Sequence, residues 1–183
     1  MIAEPRGPRI LSTARLLSLA AGVLAVDQWT KVVVLSRMQP GDTVPVLPGL
    51  FQFRFIINRG GLFGVFRDLP DLWRTMLFTG VPLAASVGLL FFLIRTPATQ
   101  VFLRSGLALI LGGAIGNLTD RLRLGYVVDF LDVFVKGHHW PAFNVADSAI
   151  CIGVGLILLD AFYLRPSESE GVPSEVEGPE QQA

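Results

Sequence analysis

Apolar residues along the chain fall into four long runs, over about 16–35, 75–94, 101–120 and 142–164. Each run is close to the length of about 20 residues that an α-helix needs to cross the hydrocarbon core of a membrane. The second run has no charged residue at all. Helices of soluble proteins average about 11–12 residues, so four buried core helices of this length are a poor alternative. The pattern predicts an all-α integral membrane protein with four transmembrane helices.

The first run also has some features of a cleaved secretory signal peptide. Arg6, Arg9 and Arg15 precede it, as basic residues precede the apolar part of such a peptide. However, Asp27 and Lys31 occupy the region where a cleavage site with small residues is expected. The sequence therefore favours a first helix that is retained.

Ionisable and amide side chains interrupt three of the four runs. They are Asp27 and Lys31 in the first, Asn117, Asp120 and Arg121 at the end of the third, and Asn144, Asp147 and Asp160 in the fourth. Such groups are costly within a membrane, so they usually face the protein interior and mark function. Lys31 and Arg104 are long enough to extend to the interface, and Asp160 is near its helix end, where an interfacial position is expected. Asp27 and Asp147 are harder to explain without a function.

The connection 36–74 contains a segment of alternating residues over 50–57. Phe51, Phe53, Phe55 and Ile57 fall on one face of this segment, which is typical of a β-strand with one apolar side. A turn at 58–61 follows, and residues 62–66 form a candidate second strand. We expect a small sheet over about 43–68, at the membrane surface between helices 1 and 2.

The connection 121–141 contains a second apolar segment over 126–135, for which a strand and a short interfacial helix both remain open. It includes Asp129 and Asp132 and is followed by His138 and His139. Adjacent histidines point apart on any regular element, and the chain has no third histidine. A metal site would need carboxylates as its other ligands, so we expect no metal here.

Composition supports the membrane interpretation. Hydrophobic residues make up 51% of the chain and charged residues 16%, and the mean hydropathy is +0.55. The scarcity of charge argues against a nucleic-acid-binding protein, and a single cysteine excludes a disulfide scaffold. All 15 Lys and Arg precede residue 166, whereas residues 166–183 include five Glu. We expect one membrane domain over 1–165 and a disordered acidic tail over 166–183.

Four spans place both termini on the same side of the membrane. Basic residues in the short flanks of the termini favour the cytoplasmic side, although the total count of Lys and Arg does not decide the orientation. The polar ends of the third and fourth runs then share the opposite face.

Two carboxylates and two amides are directed toward that face. Asn117 and Arg121 are four residues apart and share a helical face, Asn144 and Asp147 are three apart, and Asp129 lies between the two runs. Two carboxylates in a low-dielectric site hold one proton between them, so one can activate water while the other protonates a carbonyl oxygen. A structural polar contact between helices explains this spacing equally well, and the residues alone leave both open.

Four short motifs occur in order at the predicted helix ends and loops. They read D-Q-x-x-K at 27–31, N-x-G-x-L-F-G at 58–64, G-N-x-x-D-R with G-x-V-x-D-F at 116–130, and F-N-x-A-D at 143–147. This set resembles the motifs of lipoprotein signal peptidase (signal peptidase II), a family of bacterial aspartyl proteases, and the match runs through most of 16–164. Leu62 departs from the pattern, since the family usually has alanine there, which bears on substrate preference.

The resemblance implies that Asp129 and Asp147 are the catalytic pair. It implies substrate-binding or site-ordering roles for Asn58, Gly60, Asn117, Arg121, Asn144, Asp27 and Lys31. The substrate would be a diacylglyceryl-modified prolipoprotein, cleaved on the amino side of its lipidated cysteine at the periplasmic face of the inner membrane. The apolar face of the 50–57 strand would cover the acyl chains of such a substrate. From helical spacing we expect Arg121 to be the site residue and Asp120 to be mainly structural, because Arg121 shares a face with Asn117 more closely.

The resemblance also implies the partners of the protein. Membrane lipid and globomycin-type inhibitors would bind it, no cofactor, metal or nucleic acid is expected, and we expect a monomer. The alternative is a small polytopic transporter or channel in which Asp27, Lys31 and Asp147 form a relay. Internal repeats are common in transporters, and the four runs share no motif. A membrane subunit that binds lipoproteins without cutting them is a further alternative, which product formation would distinguish.

Overall fold

Four helices in the described part of the chain are long and apolar enough to cross a membrane: Thr13–Arg37, Leu72–Arg95, Val101–Leu124 and Val145–Phe162. The structure is a computed structural model and describes residues 12–60 and 70–164. Its helices are α1 (Thr13–Arg37), α2 (Asp71–Thr75), α3 (Val81–Arg95), α4 (Val101–Leu124) and α5 (Val145–Leu159). A π-helical segment, Met76–Gly80, joins α2 to α3, and another, Asp160–Leu164, continues α5. The predicted four-helix membrane architecture is confirmed.

Helix α4 ends and helix α5 begins at positions fixed by local chemistry. Gly125 follows α4 with a φ of +79°, a left-handed conformation that favours glycine, and its N–H donates to the Arg121 carbonyl oxygen at 3.1 Å. α4 therefore continues to Leu124, beyond the predicted end at 120. Asn144 and Asp147 form a capping box in which each side chain accepts the other residue's backbone N–H, so α5 begins at Val145.

Helix α4 is central and packs against α1, α3 and α5. Its glycines allow close approach: a Cβ at Gly106 would lie 2.6 Å from the Gly153 carbonyl oxygen of α5, and one at Gly112 would lie 2.6 Å from the Ala20 carbonyl oxygen of α1. Helices in lipid gain little from the hydrophobic effect between them, so close backbone packing of small residues stabilises their association. This packing brings the polar ends of α1, α4 and α5 together.

Two long cations that were expected to extend to the interface are instead buried. Arg104 is 3% exposed and its Nη2 donates to the Thr13 hydroxyl at 2.8 Å. Lys31 is 2% exposed, and its Nζ contacts side-chain oxygens of α1 and α4. Asp160 is buried as well. The expectation that Lys31 and Arg104 extend to water was wrong, because acceptors on neighbouring helices bind these two cations.

The extended segments form one antiparallel sheet in the order β1 (Thr43–Leu47), β2 (Phe51–Asn58), β3 (Val127–Val135), β4 (His138–His139). The segment over 126–135, for which two structures were open, is therefore a strand. The small sheet is confirmed, but it is not confined to the connection between helices 1 and 2. The candidate strand at 62–66 and the acidic tail at 166–183 lie outside the described residues.

The apolar face of β2 packs against protein. Phe55 is buried in a cluster with Val34 at the end of α1 and with Val128 and Phe130 of β3, and Phe53 packs against that cluster. Phe55 therefore attaches the sheet to the helices, while the covering of acyl chains by the half-buried rest of this face stays a prediction. For the site, the consequence of this packing is that β2 and β3 are held in a fixed register.

Candidate active site

Asp129 and Asp147 lie close together although they come from strand β3 and from the first turn of α5. Asn144 contacts both: its Nδ2 donates to Asp129 Oδ1 at 2.8 Å, and its backbone N–H donates to Asp147 Oδ2 at 3.2 Å. Asp129 and Asn144 are buried and Asp147 is half-buried. The residue that caps α5 therefore also holds the two carboxylates next to each other.

A further amide contacts each carboxylate. Asn58 Nδ2 donates to Asp129 Oδ2 at 2.9 Å, because the pairing of Asn58 with Val127 places it diagonally across from Asp129. Asn117 Nδ2 donates to Asp147 Oδ1 at 2.8 Å from the last turns of α4. Each carboxylate thus accepts one hydrogen bond from Asn144 and one from an amide on another element.

A buried lysine lies behind this group. Lys31 Nζ lies 2.9 Å from side-chain oxygens of three residues: Asn117, Asp27 and Asp120. An ammonium group has three N–H donors, so these acceptors satisfy it completely. By binding the Asn117 oxygen, Lys31 orients the amide so that its nitrogen faces Asp147.

Asp27 and Asp120 connect the lysine to the elements that carry the two carboxylates. Asp27 Oδ1 accepts the N–H of Ala146 in α5 at 2.9 Å, and Asp120 Oδ2 accepts the N–H of Val128 in β3 at 3.1 Å. Gln28 Nε2 adds a 2.9 Å hydrogen bond to Asp120 Oδ1. The sequence interpretation did not include Gln28 among the site residues, and its place beside Asp27 in the first motif was the only signal.

Arg121 places a positive charge beside the carboxylates. Its guanidinium lies over the Phe78 ring, 5.9 Å from the ring centroid, and it is attracted electrostatically to Asp147 and Asp129. It lies one turn after Asn117 on α4, in agreement with the shared helical face that the spacing predicts.

Gly60 fixes the turn that follows Asn58. Its N–H donates to the Asn58 side-chain oxygen at 2.9 Å, and its φ of +113° is a conformation that L-residues rarely adopt. A Cβ here would lie 2.5 Å from Cδ2 of Phe78. The turn therefore orients Asn58 toward Asp129 and rests against the ring of Phe78. Leu62, the position that departs from the motif, lies outside the described residues.

Substituting Gly60 with alanine should destabilise the protein more than the same change at Gly41. Both glycines have a positive φ, but a Cβ at Gly41 would meet nothing within 4 Å. We expect about 1 kcal/mol for Gly41→Ala from backbone strain, and about 1–3 kcal/mol more for Gly60→Ala from overpacking against Phe78. Denaturant unfolding of both variants in detergent checks this, and equal losses would contradict the contact.

The pKa of Asp129 is raised to about 7, mainly by burial and also by the negative charge of Asp147. The hydrogen bonds from Asn58 and Asn144 and the positive charge of Lys31 act in the opposite direction and lower it. A carboxyl group with this pKa is partly protonated at neutral pH. Beside a second carboxylate, it can donate a proton while its neighbour accepts one. The arrangement can therefore perform general acid–base chemistry.

The histidine pair forms β4, which pairs with the last residues of β3. His139 Nδ1 lies 2.8 Å from Asp132 Oδ1 and its ring stacks on Phe134, while Gln52 Nε2 donates to Asp132 Oδ2 at 2.7 Å. Among the described residues, no three His, Cys, Asp or Glu are grouped as metal ligands. Asp132 thus has its own partners and does not contact the two carboxylates of the site.

Comparison with known proteins gives consistent matches. The family model described as Signal peptidase (SPase) II matches residues 19–163. A protein of Acinetobacter baylyi named Lipoprotein signal peptidase is 45% identical over 149 residues, 81% of this chain and 82% of the relative. One of the same name from Syntrophus aciditrophicus is 43% identical over 147 residues, 80% of this chain and 91% of the relative.

Two solved structures share the fold. Both are described as bacterial membrane enzyme structures obtained by the in meso method, at 2.3 Å and 1.9 Å resolution, with TM-scores of 0.73 and 0.76. They are 29% and 28% identical in sequence, and the match covers 87% and 85% of this chain and 97% of each solved chain. The chain belongs to the signal peptidase II family, the multi-pass membrane peptidases that process lipoproteins.

Proposed function

We propose that the protein is an intramembrane aspartyl endopeptidase in which Asp129 and Asp147 form the catalytic pair. Its substrate is a diacylglyceryl-modified prolipoprotein, from which it removes the signal peptide on the amino side of the lipidated cysteine. The observation that carries the proposal is the double contact of Asn144, which holds the two carboxyl groups together.

The two carboxyl groups suit hydrolysis by one activated water molecule. Asp147, ionised, takes a proton from water as the water oxygen attacks the scissile carbonyl carbon, and protonated Asp129 donates to the carbonyl oxygen. When the tetrahedral diol collapses, Asp147 protonates the peptide nitrogen, Asp129 recovers a hydroxyl proton, and the C–N bond breaks. The products are the carboxyl-terminated signal peptide and the amine of the lipidated cysteine.

The surrounding residues orient this reaction. Asn58, Asn117 and Asn144 hold the carboxyl oxygens, and the Gly60 turn holds Asn58. Asp27 and Lys31 position Asn117 and α5, and Arg121 supplies positive charge for the developing oxyanion. Because Asp27 and Lys31 are committed to these contacts, they have little freedom to act as the relay that a transporter would need.

The membrane arrangement fits such a substrate. The candidate site lies where α1 and α4 end and α5 begins. A signal helix that crosses the membrane would present its lipidated cysteine at this same depth. We propose that this face is periplasmic, that the membrane is the bacterial inner membrane, and that both termini are cytoplasmic. Globomycin-type inhibitors would compete with substrate, the protein would act as a monomer among membrane lipids, and no cofactor is required.

Incubation of the purified protein with a diacylglyceryl prolipoprotein in lipid nanodiscs tests the proposal. Mass spectrometry should identify one cut on the amino side of the lipidated cysteine, and the unlipidated precursor should remain intact. Binding without any product would contradict an enzyme, and loss of activity in EDTA would contradict a metal-free mechanism.

The cleavage rate should fall as the pH rises above about 7. The pKa of Asp129 is raised to about 7, so the protonated form that donates to the carbonyl oxygen is lost above this pH, by about tenfold for each further unit. Because the pKa of Asp129 is higher in the folded state, that state binds more protons than the unfolded state between about pH 4 and 7. The contribution of Asp129 to folding stability therefore increases as the pH falls through this range. A profile of kcat/KM against pH measures the descending limb.

Asn58 provides the matched test of this assignment. Its hydrogen bond lowers the pKa of Asp129, so Asn58→Ala should move the descending limb to higher pH, whatever its effect on the rate. Gln52→Ala removes an amide from the same strand that contacts Asp132 instead, and it should leave the limb in place. If the descending limb of the pH profile stays in place in Asn58→Ala, the group that titrates there is not Asp129.

A further inference from the structure

The ring of Phe78 contacts two different elements of the candidate active site. The guanidinium of Arg121, on α4, lies over this ring at 5.9 Å from its centroid. Gly60, in the turn after β2, lies so close that an added Cβ would come within 2.7 Å of three ring atoms, Cγ, Cδ2 and Cε2. Phe78 itself belongs to neither element, because it lies in the π-helical segment of the second span.

Both contacts of Phe78 bear on Asp129. The N–H of Gly60 donates to Asn58 Oδ1 at 2.9 Å, and Asn58 Nδ2 donates to Asp129 Oδ2 at 2.9 Å. Arg121 is attracted electrostatically to the same carboxylate. One side chain on the second span therefore contacts two groups that act on a member of the proposed catalytic pair.

The second span reaches the site through an irregular turn. The N–H of Val81 donates to the carbonyl oxygen of Met76, five residues back, where an α-helix would use the fourth. Turns of this π type are frequent at functional sites. The span is also sparsely packed, with 11% of its apolar window buried, compared with 22%, 56% and 22% for the other three described spans. The contacts of Phe78 therefore do not follow from dense packing of this span.

The two contacts restrict groups that are otherwise mobile. A guanidinium over an aromatic ring is attracted by the negative face of the ring, and the attraction is stronger where water is partly excluded, as around the half-buried Phe78. The edge of the ring fills the space that a Cβ of Gly60 would occupy, which limits movement of the turn. An aliphatic side chain at this position would provide neither the charged-group attraction nor the flat edge.

We propose that Phe78 is a positioning residue of the enzyme, which holds Arg121 and the turn of Asn58 and Gly60 against the catalytic pair at the same time. This inference rests on the proposed function, in which the carboxylates that these groups contact are catalytic. Because Phe78 acts through its neighbours and does not touch substrate, its loss should slow the chemical step and leave substrate binding unchanged.

The kinetics of Phe78→Leu, with a lipidated substrate in nanodiscs, test this role. We expect kcat to fall about tenfold and KM to change by less than about twofold. Phe78→Tyr keeps the ring and should restore most of the rate, since Phe78 lines a cavity that leaves room for a hydroxyl group. A rise in KM with an unchanged kcat would overturn the positioning role in favour of direct contact with substrate.

The pH profile gives a second measurement, which a merely structural residue would not change. The hydrogen bond from Asn58 lowers the pKa of Asp129, and the nearby positive charge of Arg121 also favours the ionised carboxylate. Loosening both groups should therefore raise this pKa, so the descending limb in Phe78→Leu should move to higher pH. If the descending limb stays in place in Phe78→Leu, the ring does not hold these groups and the proposal is overturned.

Phe91→Leu is the matched control. Phe91 lies on the same span, and the guanidinium of Arg95 lies over its ring at 5.1 Å from the centroid, at the other end of the span. This variant loses the same kind of contact and should keep kcat, KM and the descending limb. Equal losses in both variants would assign the effect to the packing of the span and overturn the proposal. Phe78→Met, which has a long and adaptable side chain without a ring, keeps the test available if Phe78→Leu fails to fold.

Hydrogen exchange at Gly60 separates the failure of this proposal from the failure of the proposed function. NMR of the full-length protein with isotope-labelled glycine in detergent measures it without any substrate. In Phe78→Leu the Gly60 N–H should exchange at least about fivefold faster, whereas the Gly41 N–H, which donates to the Phe55 carbonyl oxygen at 2.9 Å, should not change. Unchanged exchange at Gly60 would overturn the proposal even in an active enzyme. An unmodified protein that cleaves no substrate would contradict the catalytic assignment, while faster exchange in Phe78→Leu would still support the contact.

Discussion

Asp129→Asn is expected to lower the rate of prolipoprotein cleavage by about 10³-fold while the protein remains folded. An asparagine keeps the shape of the side chain and a carbonyl oxygen for the hydrogen bond from Asn144, but it has no acidic proton to donate to the scissile carbonyl oxygen. Asp147→Asn should cause a loss of similar size, because the water would have no base. Single-turnover cleavage of a lipidated substrate in nanodiscs measures both rates.

Asp132→Asn is the matched control for these two variants. Asp132 lies on the same strand as Asp129 and is equally buried, but its partners are Gln52 and His139. Its amide variant should cleave substrate within a few-fold of the unmodified protein. Near-normal turnover by Asp129→Asn or Asp147→Asn would exclude that residue as a member of the pair, and circular dichroism with a melting curve separates lost chemistry from lost structure.

The four spans and the polar ends of the helices could be predicted from the sequence for a physical reason. A membrane penalises each ionisable group, so the few that remain, such as Asp27 and Asp147, are informative by themselves. Helix spacing also placed Asn117 and Arg121 on one face, because i and i+4 positions are neighbours on any α-helix. These inferences need only local periodicity and the hydrophobic effect.

Contacts between distant segments could not be predicted in the same way. The hydrogen bond from Asn58 to Asp129 joins residues 71 positions apart and depends on the register of β2 against β3. Alternation over 50–57 indicated an apolar face, but periodicity does not say what covers that face, and Phe55 proved to pack against Val34 and Phe130. Only the motifs, taken as a set, joined these segments into one candidate site.

The burial of Lys31 is another feature that could not be predicted from the sequence, because it depends on the energy of contacts between distant residues. Hydropathy treats a lysine near a helix end as a group that extends to water. The cost of burying its charge is offset here by three oxygen atoms, two of them from α4, which lies 86 and 89 residues further along the chain. Such compensation is visible only when the helices are packed together.

Lys31→Met is therefore expected to destabilise the protein by about 3–5 kcal/mol and to reduce cleavage severely. The side chain of methionine fills the same space, but Asp27 and Asp120 then remain buried without their cation, and the Asn117 oxygen loses a donor. The amide that faces Asp147 would keep only the 3.1 Å hydrogen bond from Asn144 Nδ2 to its oxygen and would be held less firmly. Denaturant unfolding in detergent, followed by circular dichroism, measures the loss in the free energy of unfolding.

Lys136→Met is the matched control, because Lys136 is the only other lysine of the chain and is exposed. This variant should stay within about 0.5 kcal/mol of the unmodified protein. Adding Asp27→Asn and Asp120→Asn to Lys31→Met removes the two uncompensated charges, so the triple variant should regain part of the lost stability even though it lacks three polar contacts. If the triple variant is less stable than Lys31→Met alone, the loss does not come from buried charge, and the lysine stabilises the helices by its hydrogen bonds instead.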